Sequence, residues 1–247
     1  MAGDGIDSRT GHRKRLREKF LRAGDEAFLD YEILELLLSY AIGRRDVKPM
    51  AKRLIEKYKT LEGVVDADIA DLTAIPEIGE SSAILIKLIR SMMVRYLGQR
   101  LRNEDYMDDS DKFCDYARAR LGDQTGEAMM LFYLNTKNVL IDTEIVNEGA
   151  VDCVVVFPSI VAKRALLRSA KAVVLCHNHP SGIVKPSRED DLVTREVRAA
   201  LESLKITLLD HIIVSKYDYY SYRYEDSRRP SAFRFLAPLS GREEYRS

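Results

Sequence analysis

AVVLCHNHPSGIVKPSRED, residues 172–190, changes character partway along. Its first five residues are a short apolar run of the kind that forms a fully buried strand. Two of the chain's four histidines follow, one residue apart, and a Pro- and Gly-containing loop then leads to Ser187 and Asp190. In extended backbone, residues i and i+2 point to the same side, so His177 and His179 share a face and Asn178 points away. Two imidazoles so placed can converge on one cation at about 2.0–2.1 Å. The loop PSGIVKPS carries the chain back, and a helix beginning near Ser187 can aim Asp190 at the same point. Two His and one Asp leave a fourth position open, as catalytic zinc requires, and borderline N and O ligands without a thiolate suit zinc best. The plainer alternative is a polar strand-to-helix loop in which Ser187 serves only as helix N-cap. Against it stands the combination of His177, His179, Pro180, Ser187 and Asp190 in one short segment.

The chain has 247 residues, with 39 Lys and Arg balancing 39 Asp and Glu. That length allows one large domain or two modest ones, each with its own core. Balanced charge argues against a protein that coats nucleic acid non-specifically. Three widely spaced cysteines, Cys114, Cys153 and Cys176, fit neither a disulfide framework nor a cysteine zinc finger. The opening MAGDGIDSRTGHRKRLREKF lacks the apolar centre of a signal peptide, and no apolar run reaches membrane-spanning length. A reducing, cytoplasmic setting without membrane association is expected.

The first hundred residues read as helices: a basic one near 11–22, then 31–42, then 48–58 with Asp46 as cap and Pro49 in its first turn. Residues 72–97 read as a short helix, a Pro/Gly turn and a long apolar helix. The polar run RNEDYMDDS (102–110) marks a linker. Beyond it the spacing predicts a helix over 111–121, strands at 128–135 and 139–146 around a turn, a strand at 151–157, and a helix at 159–170. A strand at 172–176, a helix at 188–203 and strands at 207–215 and 218–223 complete the pattern. Helices first and mixed elements later imply a helical domain over 1–105, an α/β domain over 106–224 and a tail over 225–247.

The pattern H-x-H-P-x6-S-x2-D, read from His177 to Asp190, resembles the JAMM (MPN+/JAB) metal-binding signature. The fuller HNHPSG…PSxxD, with LLDHIIV downstream, resembles the RadC (UPF0758) branch. YEILELLLSYAIGRRDVKPMAKRLIEKY is similar to the N-terminal domain of the same family. The resemblance implies a JAB fold, a β-sheet core flanked by helices, with His177, His179 and Asp190 as ligands to one zinc. It also implies an upstream glutamate acting as general base. Glu127, opening EAMMLFYLN, and Glu144, inside the next strand, compete; Glu127 fits better because the family's glutamate precedes the apolar strand. The implied chemistry is metal-assisted hydrolysis of an amide bond in a peptide or isopeptide substrate, the glutamate passing a proton from water to the leaving amine. Ser187 matches the motif serine, and its hydroxyl can donate to a developing oxyanion, cap the helix, or both. Cys176 and Cys153 read as core residues, His211 as a satisfied strand histidine or a partner of the site, and His12 as a solvated member of a basic helix.

IPEIGESSAILI (75–86) resembles a helix-hairpin-helix turn, a phosphate-binding device of DNA-binding proteins. Glu77 stands where that turn carries its first glycine, and residues 1–100 hold 18 Lys and Arg against 16 Asp and Glu. A packing or protein-interaction element is the expectation, with any DNA binding weak and carried by Arg13, Lys14, Arg15 and Lys19. Three functions follow in order: a zinc hydrolase of JAMM type, a DNA-repair or DNA-processing accessory, and a metal-stabilised scaffold. A zinc deaminase is disfavoured because no H-x-E with a PCxxC partner is present.

Overall fold

Leu34, Leu38, Met50, Ala51 and Leu54 recur at helical spacing, and they bring the N-terminal helices together. The computed structural model describes residues 5–43, 45–102, 104–122, 124–146 and 157–223, which form two compact units divided between Met93 and Val94. The expected strand at 151–157 with Cys153, and the tail from 225, lie outside the described residues apart from Phe157. In the first unit, α2 (Asp30–Ala41) and α3 (Lys48–Tyr58) pack those five side chains against Val64, Leu72, Ile78 and Ile86. Asp46 Oδ1 accepts the Lys48 N–H at 3.0 Å, and Pro49 sits in the first turn of α3, where a missing N–H costs nothing.

Two short helices, α4 (Leu61–Asp66) and α5 (Ile69–Thr73), precede the Pro76 turn where one was expected. Thr60 caps α4 by accepting from Gly63 N–H at 2.9 Å. Glu77 turns the chain with φ of 71°, in the left-handed region that favours glycine. The long helix α6 (Glu80–Leu101) then runs across the division between units.

The basic helix α1 (Gly5–Ala23) is not simply solvated. His12 Nε2 lies 2.6 Å from Oε1 of Glu35, a buried carboxylate on α2. Arg13 donates to the carbonyls of Ser39, Ile42 and Arg45, closing the C-terminal end of α2. Lys19 pairs with Glu32 at 2.7 Å and sits over the Phe28 ring. These contacts correct the expectation for His12, and they engage Arg13 and Lys19 within the fold.

The second unit is α/β, a five-stranded sheet with helices on both faces. Its strands are β1 (Met129–Leu134), β2 (Leu140–Val146), β3 (Ala172–Asn178), β4 (Thr207–Val214) and β5 (Tyr219–Ser221), in the order β2-β1-β3-β4-β5. All neighbours are antiparallel except β3 and β4, which are parallel and joined through α9 (Arg188–Glu202). β1 and β3 are buried along their whole lengths, because helices cover both sides. Alternate residues therefore serve two cores. Met130, Phe132, Val174, Cys176, Ile212 and Val214 face one core with Phe113, Cys114, Ala117 and Leu121 of α7 (Ser110–Leu121). Met129, Leu131, Val173 and Leu175 face the other, with α8 (Pro158–Leu167) and α9.

The polar run at 102–110 is more than a linker. Asp105 bridges to Val139, and Tyr106 is fully buried, its ring edge-on to Phe113 and its hydroxyl 2.6 Å from Asp210 Oδ2. Among the described residues no helix is long and apolar enough to cross a membrane.

Candidate metal centre

Strand β3 extends two residues further than its apolar run, so His177 lies on the strand and His179 just past it. The His179 N–H still bonds to Val214 O of β4 at 2.8 Å, which keeps the backbone extended and both imidazoles on the α9 side. Gly182, with φ of 83°, helps reverse the chain. Ser187 then starts α9: its Oγ accepts the Asp190 N–H at 3.0 Å while Asp190 Oδ2 accepts the Ser187 N–H at 2.7 Å, a reciprocal capping box. The Ser187 hydroxyl also donates to Asp190 Oδ2 at 2.6 Å. The cap thus holds one carboxylate oxygen and leaves Oδ1 toward the histidines.

His177 Nε2 lies 3.0 Å from His179 Nε2 and 3.0 Å from Asp190 Oδ1, and His179 Nε2 lies 3.5 Å from Asp190 Oδ2. A tetrahedral site with bonds of about 2.0–2.1 Å separates its ligand atoms by about 3.3–3.4 Å. The three groups therefore fit a metal ion, and among the described residues they form a group able to hold one. His179 Nδ1 faces the Ile183 carbonyl at 2.7 Å, so its proton belongs there and Nε2 is left as the ligating atom.

The electrostatics agree with a cation site. Burial pushes the Asp190 carboxyl up, but its contacts with His177, His179 and Ser187 outweigh burial and hold it well below the usual range. Hydrogen bonding to Asp190 raises His179 in spite of its burial. Burial first, then the neighbouring His177 ring, keeps His211 well below the usual histidine range. His211, expected as a satisfied strand histidine or a partner of the site, is the latter: its Nε2 is 2.8 Å from His177 Nδ1.

Glu127 and Glu144 separate clearly. Glu127, exposed at the entry to β1, lines the same cleft as His177, His179, Ser187 and Asp190. Glu144 is bound elsewhere, accepting from the Tyr133 hydroxyl and pairing with Arg164 at 2.8 Å and Arg168 at 2.7 Å. Asn178, unmarked by the sequence argument, points to the opposite side of β3, where it is buried. Its Oδ1 accepts the Ala128 N–H at 2.7 Å and its Nδ2 donates to Gly126 O at 3.1 Å. One amide thereby fixes the backbone on both sides of Glu127. The signal available was a polar residue ending a buried strand, which must find partners. Cys176 is buried in the core as expected, and its thiol is pushed up by burial.

Residues 107–227 match the family model described as a RadC-like JAB domain, and residues 9–84 match that of the UPF0758 N-terminal region. A UPF0758 protein of Ruegeria pomeroyi is 39% identical over 214 residues, 87% of this chain and 96% of that one. A UPF0758 protein of Fusobacterium nucleatum subsp. nucleatum is 35% identical over 219 residues, 86% of this chain and 94% of that one. The chain belongs to the UPF0758 family.

Proposed function

We propose that this protein is a zinc-dependent hydrolase of the JAMM type that cleaves an amide bond in a peptide or isopeptide. The observation that carries the proposal is the convergence of His177 Nε2, His179 Nε2 and Asp190 within 3.0–3.5 Å of one another, in a cleft that Glu127 also lines. His177, His179 and Asp190 would hold the ion. Bound there, zinc would supply Lewis acidity toward a carbonyl oxygen and acidify a water. Glu127 has a carboxylate exposed to the cleft, so it can take a proton from water and return it to the leaving amine. Ser187 keeps Asp190 oriented; its hydroxyl becomes an oxyanion donor only by leaving Asp190 Oδ2.

A DNA-binding accessory role finds less support. Arg13 and Lys19 are engaged within the first unit, and Glu77 is paired with Arg53 at the turn that would meet phosphate. The test is Glu127→Gln against Glu144→Gln, each assayed for zinc content and for cleavage of a peptide and isopeptide library. Glu127→Gln is expected to keep zinc and lose roughly 10²–10⁴-fold of the hydrolytic rate. Glu144→Gln is expected to keep the rate and lower thermal stability, since Arg164 and Arg168 lose their shared carboxylate. Full activity in Glu127→Gln contradicts the proposal.

A further inference from the structure

The carboxylate or carbonyl that ordinarily fixes the tautomer of a ligating histidine is missing at His177. Its Nδ1 faces another imidazole, that of His211 on β4. We propose that His211 and Thr194 are positioning residues which dictate the tautomer of His177, so that its Nε2 lone pair is presented to the cation; the proposal rests on the zinc-site reading above.

The order of protons follows from what each atom in the chain of contacts can donate or accept. Thr194, buried on α9, has its Oγ1 2.6 Å from Asp190 O and 2.6 Å from His211 Nδ1. A carbonyl only accepts, so the single hydroxyl proton goes to Asp190 O, and Oγ1 must accept from His211 Nδ1–H. A neutral imidazole carries one N–H, so His211 Nε2 is then an acceptor, 2.8 Å from His177 Nδ1. His177 then donates from Nδ1, and in its neutral form keeps Nε2 bare for a cation. The order of protons therefore starts at the backbone of one ligand, Asp190, and ends at the ring of another, His177.

His211 has no room to reorient. It is 1% exposed, and the Tyr222 ring stacks on it at 5.1 Å with the planes 6° apart. Tyr222 is itself tied by its hydroxyl to Asp191 Oδ1 on α9 at 2.8 Å. The neighbouring carboxylate does not compete for the ring. Asp210 points to the other face of the sheet, where Tyr106 and Ser221 hold it at 2.6 Å each. Without an acceptor at position 194, His211 is free to carry its proton on Nε2. It would then donate to His177 Nδ1, forcing the His177 proton onto Nε2, where it blocks ligation.

Thr194→Val has nearly the shape of the native residue but no acceptor, and Thr194→Ser restores one. In the full-length chain, zinc affinity measured by competition with a chromophoric chelator is expected to fall about 10–100-fold in Thr194→Val and to recover in Thr194→Ser. ¹⁵N-resolved NMR of the metal-free wild type should show His211 protonated at Nδ1 and bare at Nε2. A purely structural role would lower the melting temperature of metal-free Thr194→Val and leave zinc affinity unchanged, which overturns the proposal. A wild-type His211 protonated at Nε2 overturns it too, and decides the matter even if Thr194→Val does not fold. Failure of the wild type to bind zinc overturns the site reading instead.

Discussion

Asn178 and Glu127 show how far apart in sequence the parts of one site can lie. Removing the Asn178 amide leaves the Ala128 N–H and the Gly126 carbonyl without their partner, and a buried polar group left unpaired costs about 1–3 kcal/mol. Asn178→Ala is expected to lower stability by that order in urea denaturation. It should also reduce the hydrolytic rate through misplacement of Glu127, while zinc content stays at the wild-type level. Loss of zinc instead would mean that Asn178 supports the ligands rather than the base. The ligands themselves were legible because they are close in sequence: His177 and His179 share a strand face, and Asp190 returns on the next helix. Asn178, Thr194 and His211 were not legible as a set. Their roles depend on partners 50, 17 and 34 residues away, and a buried polar side chain announces only that it needs a partner.

Among the elements, the turn before α6 combines two opposing features. Glu77 occupies a left-handed conformation, which costs a non-glycine residue about 1–2 kcal/mol, while its pairing with Arg53 is exposed and worth ~0–1 kcal/mol. Glu77→Gly is therefore expected to raise the melting temperature modestly. With Arg13 and Lys19 engaged elsewhere, it should not create salt-sensitive duplex binding in fluorescence anisotropy. A destabilised Glu77→Gly would show that the Arg53 pair outweighs the strain. Element boundaries were legible where local chemistry punctuates the chain. Asp46 and Pro49 open α3, Asp109 caps α7 by accepting from Lys112 N–H, and Ser187 opens α9. They were less legible where tertiary contacts decide. The shared core selects α4 and α5 as separate short helices. β3 continues through His177 and Asn178 because pairing with β1 and β4 favours strand beyond the apolar run. Tyr106 makes a polar stretch part of the core, an outcome its charged neighbours concealed.

At the scale of the whole molecule, the succession of helical then mixed elements was legible because hydrophobic period changes from helical to alternating and continuous runs. The sheet order was not, since nothing local distinguishes β1 from β4 as the neighbour of β3. That order matters to function. Placing β1 beside β3 brings Glu127 to the end of the sheet where His177 emerges, and placing β4 on the other side brings His211 beneath His177. A metal ion at that end would tie β3 to α9. The most direct measurement is the zinc content of the purified full-length chain, alongside the His177→Ala/His179→Ala double variant. Close to one zinc per wild-type chain is expected, with almost none in the double variant, since one remaining ligand cannot hold the ion tightly. Full zinc occupancy in the double variant, or a wild type that takes up no zinc, would contradict the assignment of this site.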